Sequence, residues 1–515
     1  MSQSQSQSQS QSQSQPQSDP TASKEWVLEP ETEYRFELDP GTSVAIKLAD
    51  GQAEVFGAEL VEGKTYLFGH ECKAAVFSWQ GCTLQVVGHP STEYVSEETP
   101  MHAYANVHLA LESMRVRALR ALHGSPVLSP APAPGRSSSG DTERADPPRV
   151  LVLGPENSGK TSVCKILANY AVRAGQGWAP IYVNVDPAEG GWAVPGAISA
   201  ASVPGPIPTA TPASPLGSAA TSAPTVLASN ALVPLAYWYG HPEIRRNPLL
   251  VDRLVRNLGE NVNDRLEADP QGRAAGVIVD TPSSFASSSG SASADHRSML
   301  IKACVDAFRI NTILVVGHEK LNVEMQRAYG DRMTVVKIPK SGGVVELDAS
   351  YRQRVHTYQM HHYMYGPPLV PPPGVPYGTA SAGGETALDM HLAPSSSVIG
   401  FDELTIYRIG EESMAPSSAL PIGATRTVSE MQPVKIDPAS HASGLLNAVL
   451  ALLAPPYHDD EAERYDEEVL DLHVVGFLAV TSVDVPNRRM TVLSPSPGSF
   501  AGRTAVIGSF EWSEQ

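Results

Sequence analysis

The stretch Arg149-Val-Leu-Val-Leu153, followed at once by Gly154-Pro-Glu-Asn-Ser-Gly159-Lys160-Thr161, decides the fold of this chain. The five apolar-rich residues predict a buried β-strand, and the apolar spacing after Thr161 predicts a helix that reaches Arg173. The eight residues between them match Gly-x4-Gly-Lys-[Ser/Thr], the phosphate-binding P-loop. The sequence therefore predicts a nucleotide-binding α/β domain.

Each part of this motif has a physical role. The glycines allow the loop to curl so that successive backbone N–H groups face one phosphate chain, and the N-terminus of the following helix adds a positive electrostatic potential. Lys160 is expected to reach the β- and γ-phosphates, and the Thr161 hydroxyl is expected to contact Mg²⁺. A plain strand-to-helix turn is the alternative, but such a turn would not need Lys followed by Thr.

Apolar strand patterns recur after the P-loop, with helical patterns such as 249–258 and 298–308 between them. The predicted strands are 181–185, 276–279, 312–316 and 334–338. Apolar strands that alternate with helices are typical of a parallel sheet covered on both faces. We therefore predict a central kinase-like P-loop domain over residues 101–366, which begins with a linking helix at Met101–Leu122.

The flanking regions follow a different pattern. Short alternating runs between turns predict a β-sandwich-like domain at 24–100 and a mainly β domain at 398–515. Low-complexity or Pro-, Gly- and Ser-rich stretches predict disorder. These are the Ser-Gln tail 1–23 and the insertions 123–147 and 201–224, whereas residues 367–397 are predicted to be a Pro/Gly-rich linker. The acidic run 459–471 is expected to be a solvated loop.

Composition excludes several classes of protein. The 515 residues contain no apolar run long enough to span a membrane, and the polar start lacks the features of a secretory signal. The four cysteines lie far apart without a Cys-x-x-Cys pair, so we expect a reducing compartment and neither a disulfide framework nor a zinc module. A net charge of −18 disfavours general binding to nucleic acid backbones.

Other candidate residues remain ambiguous on sequence alone. Either Asp186 or Asp280, each at the end of a predicted strand, could be the carboxylate that faces Mg²⁺. The segment Lys340-Ser-Gly-Gly343 could be an ordinary turn or a loop near the nucleotide. His356, His361 and His362 do not have metal-ligand spacing, so we expect them to occupy core or surface positions in a helix.

Further segments outside the P-loop carry a family resemblance. They are Glu31–Glu37, Ala75–Trp79, Tyr94–Met101, Tyr182–Asp186, Pro339–Glu346 and Val492–Pro495. With these segments the chain resembles the Clp family, relatives of polynucleotide 5′-hydroxyl kinases that serve as a subunit of the pre-mRNA cleavage and polyadenylation machinery.

The resemblance implies that ATP, with Mg²⁺, binds between the N-terminal and central domains. The implied nucleotide-binding residues are Glu33, Lys73, Gly154, Asn157, Ser158, Gly159, Lys160, Thr161 and Ser162. It favours Asp186 over Asp280, with Thr161 and Asp186 on the metal side. If the chain is a kinase, the resemblance assigns catalysis to Lys160, Asp186 and Arg352.

The chain departs from the active kinases of this family at two positions. Ser284 stands where they carry a tryptophan that stacks on the RNA base, and Leu347 stands where they carry a lid arginine, although Arg352 is kept. Stacking contributes about 1–3 kcal/mol per base, and an arginine of this type contributes about 10³-fold or more in rate. Phe285 could replace the stacking ring if it faces the same way.

We therefore interpret the chain as an ATP-binding, non-catalytic subunit of a nuclear pre-mRNA 3′-end cleavage factor that acts by binding a scaffold subunit. We expect contact with pre-mRNA to be indirect or through a local site, and neither a membrane nor DNA to be a partner. An active RNA 5′-hydroxyl kinase is the alternative. An unrelated P-loop ATPase or GTPase is a third reading, but the chain lacks the Asn-Lys-x-Asp element of GTPases.

Overall fold

The structure is a computed structural model. It describes residues 23–69, 71–124, 145–207, 211–216, 234–287, 291–366, 370–376, 393–409, 431–440, 443–455 and 466–513. Over these ranges a β-sandwich, a central α/β unit and a β-rich unit follow one another along the chain. The predicted fold class is therefore confirmed.

The N-terminal unit consists of two β-sheets packed face to face. Its strands are β1 (Ser23–Leu28), β2 (Thr32–Glu37), β3 (Ser43–Gly51), β4 (Glu54–Val55), β5 (Ala58–Glu59), β6 (Thr65–Gly69), β7 (Lys73–Ser78), β8 (Cys82–Gly88) and β9 (Thr92–Ser96). One sheet has the order β1-β8-β3-β6 and the other β5-β4-β7-β2-β9. Alternate residues such as Tyr34, Ile46 and Val76 point between the sheets and form a single apolar core.

The central unit is built on one mixed sheet. Its strands are β10 (Arg149–Leu153), β11 (Ile181–Asn184), β12 (Ala197–Ser202), β13 (Leu235–Trp238), β14 (Val277–Asp280), β15 (Thr312–Val316) and β16 (Thr334–Ile338), in the order β13-β12-β11-β14-β10-β15-β16. Five neighbouring strands pair in parallel, as predicted: β11, β14, β10, β15 and β16. Strands β12 and β13 extend the sheet with antiparallel pairing.

Helices cover both faces of this sheet. They are α1 (Met101–Leu122), α2 (Lys160–Arg173), α3 (Pro248–Ala268), α4 (Pro270–Ala275), α5 (Ser291–Ala307), α6 (Glu319–Tyr329) and α7 (Ala349–Tyr365). Successive residues of β10 belong to opposite clusters: Val150 and Val152 pack with α1 and α2, whereas Leu151 and Leu153 pack with α3, α5 and α6. None of the helices in the described ranges has the length and apolar character needed to cross a bilayer.

Three sequence expectations need correction. Residues 201 and 202 end strand β12, and Val203, Ile207 and Leu216 are buried, so the described part of the insertion 201–224 packs onto the domain through its scattered apolar residues. The last three residues of the expected linker, 395–397, begin a strand. The end of the acidic run forms a short 3-10 helix at Asp466–Asp471, where Leu470 is buried.

Other expectations concern residues that the structure does not describe. Residues 1–22, 125–144, 208–210, 217–233, 367–369, 377–392 and 456–465 lie outside the described residues. The expected disorder of the tail and of most of the insertion 123–147 therefore stays a prediction, and so does the linker over most of its length. The four cysteines lie within the described ranges, where all are buried and free.

The C-terminal unit is a single sheet packed against the central one. Its strands are β17 (Ser395–Gly400), β18 (Leu404–Ile409), β19 (Pro433–Lys435), β20 (Ala448–Leu453), β21 (Val474–Asp484), β22 (Arg489–Ser494) and β23 (Arg503–Glu511), in the order β17-β22-β21-β20-β23-β18-β19. Phe477 and Val506 join the apolar core beneath α3 and α5. The backbones touch at Gly240 and Gly508.

Replacing Gly508 with alanine is expected to destabilise this interface by about 1–3 kcal/mol. A Cβ at this position would lie 2.1 Å from the carbonyl oxygen of Gly240, which also accepts the Ser509 N–H at 2.7 Å. Gly498→Ala is the matched control, because a Cβ there meets no atom within 4 Å. Thermal denaturation should show a lower midpoint for Gly508→Ala only; equal midpoints would contradict the close packing.

Candidate nucleotide-binding site

The P-loop joins the C-terminal end of β10 to the first turn of α2. Gly159 caps the helix with φ 85°, and Asn157 also has a left-handed backbone with φ 51°. A Cβ on Gly154 would lie 2.7 Å from the Ser158 hydroxyl and 3.2 Å from the Val316 carbonyl oxygen, so a side chain there would crowd the loop. The loop therefore curls back with the N–H groups of the first helical turn directed toward its concave side.

Side chains of the loop add donors to this backbone. The Lys160 side chain is largely buried, and its Nζ donates to the Pro155 carbonyl oxygen at 3.2 Å. Ser158 is 1% exposed, and its Oγ has no hydrogen-bond partner among the described residues. A buried polar atom without a partner costs free energy, so the site is arranged to receive a polar group.

A cavity of about 270 Å³ opens above the loop, between the N-terminal sheet and the central domain. It is lined by the predicted residues Glu33, Lys73, Asn157, Ser158, Gly159, Lys160, Thr161, Ser162, Asp186 and Arg352. Gly154 lies behind the loop, packed against Val316. The structure thus brings two distant regions of the sequence into one site.

The N-terminal wall of the cavity is polar and fixed by hydrogen bonds. Glu33 accepts from Arg35 Nε at 2.8 Å and also from the Thr99 hydroxyl. Lys73 Nζ donates to Glu37 at 2.7 Å. Gly343 packs so closely that a Cβ there would lie 2.7 Å from Arg35 Nε. The segment 340–343 is therefore a loop at the rim of the cavity, and not merely a distant turn.

Sequence reasoning missed the apolar part of the wall. Phe56, Phe77, Tyr94, Met101 and Tyr104 line it. In the sequence each of these residues stands in a strand or helix pattern where a core position is equally expected, so no local signal separates them. Together they provide an apolar, largely aromatic wall of the kind that suits a purine ring.

Three carboxylates surround the start of α2. Asp186 follows β11 and lines the cavity, whereas Asp280 ends β14 and is buried, with its Oδ2 accepting from the Tyr182 hydroxyl at 3.0 Å. The third, Glu189, was not predicted, and it accepts the Thr161 hydroxyl at 2.8 Å. The only sequence signal for Glu189 is its place in the turn after Asp186.

These carboxylates strongly affect one another. Burial and the charge of Glu189 raise the pKa of Asp186 to about 7, although Lys160 opposes the rise. The same two causes raise the pKa of Asp280 to about 6. No group of three or more His, Cys, Asp or Glu side chains in the described ranges is disposed to hold a metal ion by itself. A cation bound here would share its coordination shell with phosphate oxygens, as Mg²⁺ commonly does.

Helix α7 closes the site from above. Arg352 Nη2 donates to Asn157 Oδ1 at 3.0 Å and pairs with Glu156 at 2.6 Å, so it lies directly over the P-loop. Two residues on, Arg354 binds Glu71 of the N-terminal domain through two hydrogen bonds of 2.6 and 2.9 Å. The helix therefore contacts both sides of the cavity at once.

The segment that follows β14 does not supply an aromatic ring to the cavity. Residues Ser283–Phe285 form a short 3-10 helix in which only Ser283 lines the main cavity. Ser284 lines a separate cavity of about 150 Å³. Phe285 is 1% exposed and packs in the core with Leu300. Phe285 therefore cannot replace the missing tryptophan.

The histidines of α7 are structural, as expected. His356 Nε2 donates to the Ala188 carbonyl oxygen at 2.7 Å, and His361 stacks on Tyr365 with ring centroids 4.8 Å apart. Burial lowers the pKa of His362 to about 4. Burial also lowers the pKa of His356 below its usual value. The contacts of these histidines hold α7 in place.

Comparison with known families matches almost the whole chain. Residues 27–118 match the N-terminal beta-sandwich domain of polyadenylation factor. Residues 154–366 match the P-loop domain of the mRNA cleavage and polyadenylation factor CLP1. Residues 392–514 match the pre-mRNA cleavage complex II protein Clp1.

Individual relatives agree with these matches. The mRNA cleavage and polyadenylation factor CLP1 of Laccaria bicolor is 70% identical, covering 96% of this chain and 98% of the relative. The protein of the same name from Mycosarcoma maydis is 36% identical over 95% and 98% of the two chains. The solved Clp1p–Pcf11p complex contains a chain with a TM-score of 0.74 and 23% identity, covering 96% of this chain and 99% of that one. At 23% identity, this last similarity shows that the two chains share a fold.

Proposed function

The chain belongs to the Clp1 family of mRNA cleavage and polyadenylation factors, and from this membership we propose that it is an ATP-binding, non-catalytic subunit of a pre-mRNA 3′-end cleavage factor. We further propose that it acts by binding a scaffold subunit. Because pre-mRNA is processed in the nucleus, we place the protein there. The observation that carries the proposal is a nucleotide-sized cavity walled by the P-loop on one side and by the N-terminal sheet on the other.

ATP is the ligand that these walls suit best. The P-loop backbone and Lys160 would hold the phosphates, and the apolar wall around Phe77 and Tyr104 would take the base. Glu33 and Lys73 would fix the nucleoside from the N-terminal side. A ligand that binds only the folded state stabilises it by mass action, so bound ATP would hold the two domains together.

Magnesium fits the same site. Thr161 and Asp186 would hold it. Burial and the charge of Glu189 raise the pKa values of Asp186 and Asp280, and a cation would offset the mutual repulsion of these carboxylates. Bound Mg²⁺ would neutralise charge on the phosphates. The fold would orient the Thr161 hydroxyl and the Asp186 carboxylate toward the bound cation.

The catalytic parts are incomplete, which supports a non-catalytic role. Leu347 lines the cavity with an apolar side chain where active relatives of this family carry an arginine. Phe285 is 1% exposed and Ser284 lines a different cavity, so the described segment after β14 places no aromatic ring in the main cavity to stack on an RNA base. A phosphoryl acceptor would therefore be neither clamped nor fully charge-stabilised.

A protein partner agrees with the charge of the chain. A net charge of −18 does not favour direct binding along an RNA backbone. The solved relative with the same fold is a complex with Pcf11p. We infer that this chain binds a corresponding scaffold subunit, and that pre-mRNA is contacted indirectly or at a local site.

One observation favours a second candidate function, that of an RNA 5′-hydroxyl kinase. Lys160, Asp186 and Arg352 all line the cavity, so a phosphate-binding lysine, a candidate base and a charge-stabilising arginine are close to one another. In that case Asp186 would accept the proton of the attacking 5′-hydroxyl.

A label-transfer assay separates these two functions. Purified protein incubated with γ-labelled ATP and a 5′-hydroxyl oligoribonucleotide is expected to transfer no label above that of Lys160→Ala, because the acceptor is not held. Nucleotide that stays bound through gel filtration would support the non-catalytic role. Transfer by the wild type that is lost in Lys160→Ala would establish the kinase instead.

The partner is tested separately. Tagged protein used as bait in a nuclear extract is expected to recover subunits of the 3′-end processing machinery. Recovery of none of them, by a folded bait that binds nucleotide, would contradict the assignment to a cleavage factor.

A further inference from the structure

The hydroxyl that is expected to face Mg²⁺ is already engaged by a carboxylate. Thr161, at the start of α2, donates its Oγ1 hydrogen to Glu189 Oε2 at 2.8 Å. Glu189 lines the cavity together with Thr161 and Asp186. A negative charge therefore stands where the terminal phosphates of a bound triphosphate would approach.

The turn that carries Glu189 is held firmly. Gln359 of α7 donates from Nε2 to the Glu189 carbonyl oxygen at 2.9 Å, and His356 donates to the Ala188 carbonyl oxygen at 2.7 Å. Gly190 follows with φ 68°, and a Cβ there would lie 2.7 Å from the Val194 carbonyl carbon. Two hydrogen bonds from α7 thus anchor the turn, so moving the Glu189 backbone away from the site would break both of them.

The charges around Glu189 do not balance. Asp186 and Asp280 add two carboxylates, and the charged groups that oppose them are Lys160 and the buried Lys165. Asp280 is 1% exposed, and its Oδ1 has no hydrogen-bond partner within the described part of the chain. Ser158, which lines the cavity, is also 1% exposed, and its Oγ likewise has no hydrogen-bond partner among the described residues. These orphaned buried atoms indicate a polar or ionic occupant near the start of α2.

We propose that Glu189 makes nucleotide binding conditional on a divalent cation. Without the cation, the Glu189 carboxylate holds the Thr161 hydroxyl and repels the β- and γ-phosphates. With the cation present, the same carboxylate attracts the metal–nucleotide complex and releases Thr161 to face it. This inference rests on the proposed function, namely that the P-loop holds a triphosphate.

Glu189→Gln is a sharp test, because the amide oxygen can still accept the Thr161 hydrogen bond while the charge is removed. The affinity for ATP would be measured by equilibrium dialysis, once with excess MgCl₂ and once with EDTA. Wild-type affinity is expected to fall by about 100-fold in EDTA. The affinity of Glu189→Gln is expected to fall by only about tenfold, because one negative charge near the phosphates has been removed.

Two further variants separate charge from geometry. Glu189→Asp keeps the charge but shortens the reach to Thr161, so its dependence on Mg²⁺ is expected to stay within about threefold of wild type. Glu260→Gln, on the exposed side of α3, is the matched control and should behave as wild type. If Glu189→Gln does not fold, which circular dichroism would show, Glu189→Ala takes its place in the same comparison.

The failure of this inference differs from the failure of the proposed function. If wild type and Glu189→Gln both bind ATP and lose the same factor in EDTA, Glu189 does not set the cation dependence and the inference is overturned. If folded wild type binds ATP in neither buffer, the proposed nucleotide site is itself wrong and the inference falls with it.

Discussion

Lys160→Ala is expected to weaken ATP binding by about 2–5 kcal/mol, which corresponds to about 30-fold or more in affinity. The Lys160 side chain is largely buried at the floor of the cavity, where removal of a cation leaves phosphate charge without a partner. The effect is increased by the surroundings, because the positive charge of Lys160 also counteracts the rise in the pKa values of Asp186 and Asp280. Without Lys160, the carboxylates of the site would repel the phosphates of ATP.

The same variant is expected to lose stabilisation by the ligand. At a free ATP concentration of about 100 times the dissociation constant, wild type should gain about 2.7 kcal/mol in free energy of unfolding. Differential scanning calorimetry with and without ATP–Mg²⁺ would measure this as a shift of the midpoint. Lys160→Ala should gain at most about 0.9 kcal/mol at that concentration, because an affinity weaker by about 30-fold leaves ATP at only about three times its dissociation constant.

Lys320→Ala provides the control for this experiment. Lys320 is an exposed cation on α6, outside the cavity, so its removal should leave both the affinity and the shift unchanged. Retention of tight ATP binding in Lys160→Ala would show that the P-loop backbone alone holds the nucleotide, and it would refute the role given to this lysine.

Glu54→Ala is expected to lower the free energy of unfolding by about 2–4 kcal/mol, the cost of breaking a buried charged contact. Glu54 lies on β4 of the N-terminal domain and is 2% exposed. Its carboxylate accepts the Tyr170 hydroxyl at 2.5 Å and pairs with Arg173, and both of these residues lie on α2. Glu54 therefore joins the N-terminal domain to the helix that begins at the P-loop.

The same substitution is expected to loosen the nucleotide cavity. Beside Glu54, the Asn169 side chain of α2 donates to the Phe56 carbonyl oxygen at 2.8 Å, and Phe56 lines the cavity. When the contact at Glu54 is lost, this wall is held less firmly, so ATP affinity should fall along with stability. Calorimetry and equilibrium dialysis on the same preparation would measure both quantities.

Glu59→Ala is a matched control, because Glu59 pairs with the same Arg173 but its side chain is 66% exposed. An exposed ion pair contributes about 0–1 kcal/mol, so little change is expected. Equal losses in Glu54→Ala and Glu59→Ala would contradict the view that burial of Glu54 makes it important.

Much of the fold could be predicted because the signals are local. The strand at 149–153, the P-loop turn and α2 are specified by residues within a short window, in which apolar spacing and glycine set the backbone. Strands β12 and β13 were not predicted, and the sequence of β12, Ala-Ile-Ser-Ala-Ala-Ser, merges with a low-complexity stretch. Its small residues gave no alternation to recognise, yet pairing with β11 and β13 fixes them as a strand.

The site could be predicted only in part for the same reason. The P-loop from Gly154 to Thr161 was identified from its motif, whereas Ser162, Glu33 and Lys73 came from the resemblance alone. Tyr94 and Tyr104 look like any other aromatic residues of a core, and only the packing of the N-terminal sheet on the central domain makes them part of the cavity. Whether Phe285 could replace the missing tryptophan also depended on the direction of its ring, which a sequence does not give.

What the sequence by itself determined is the chemistry of the P-loop, the order of its strand and helix, and the division into β, α/β and β regions. Only the tertiary structure decided that Glu189 meets Thr161, that Arg352 lies over Asn157 and that Phe285 is buried in the core. The physical reason is the separation along the sequence of the residues that interact. Backbone geometry and hydrophobic periodicity depend on neighbours within a few residues, whereas contacts between distant residues depend on strand order and on how whole sheets and helices pack.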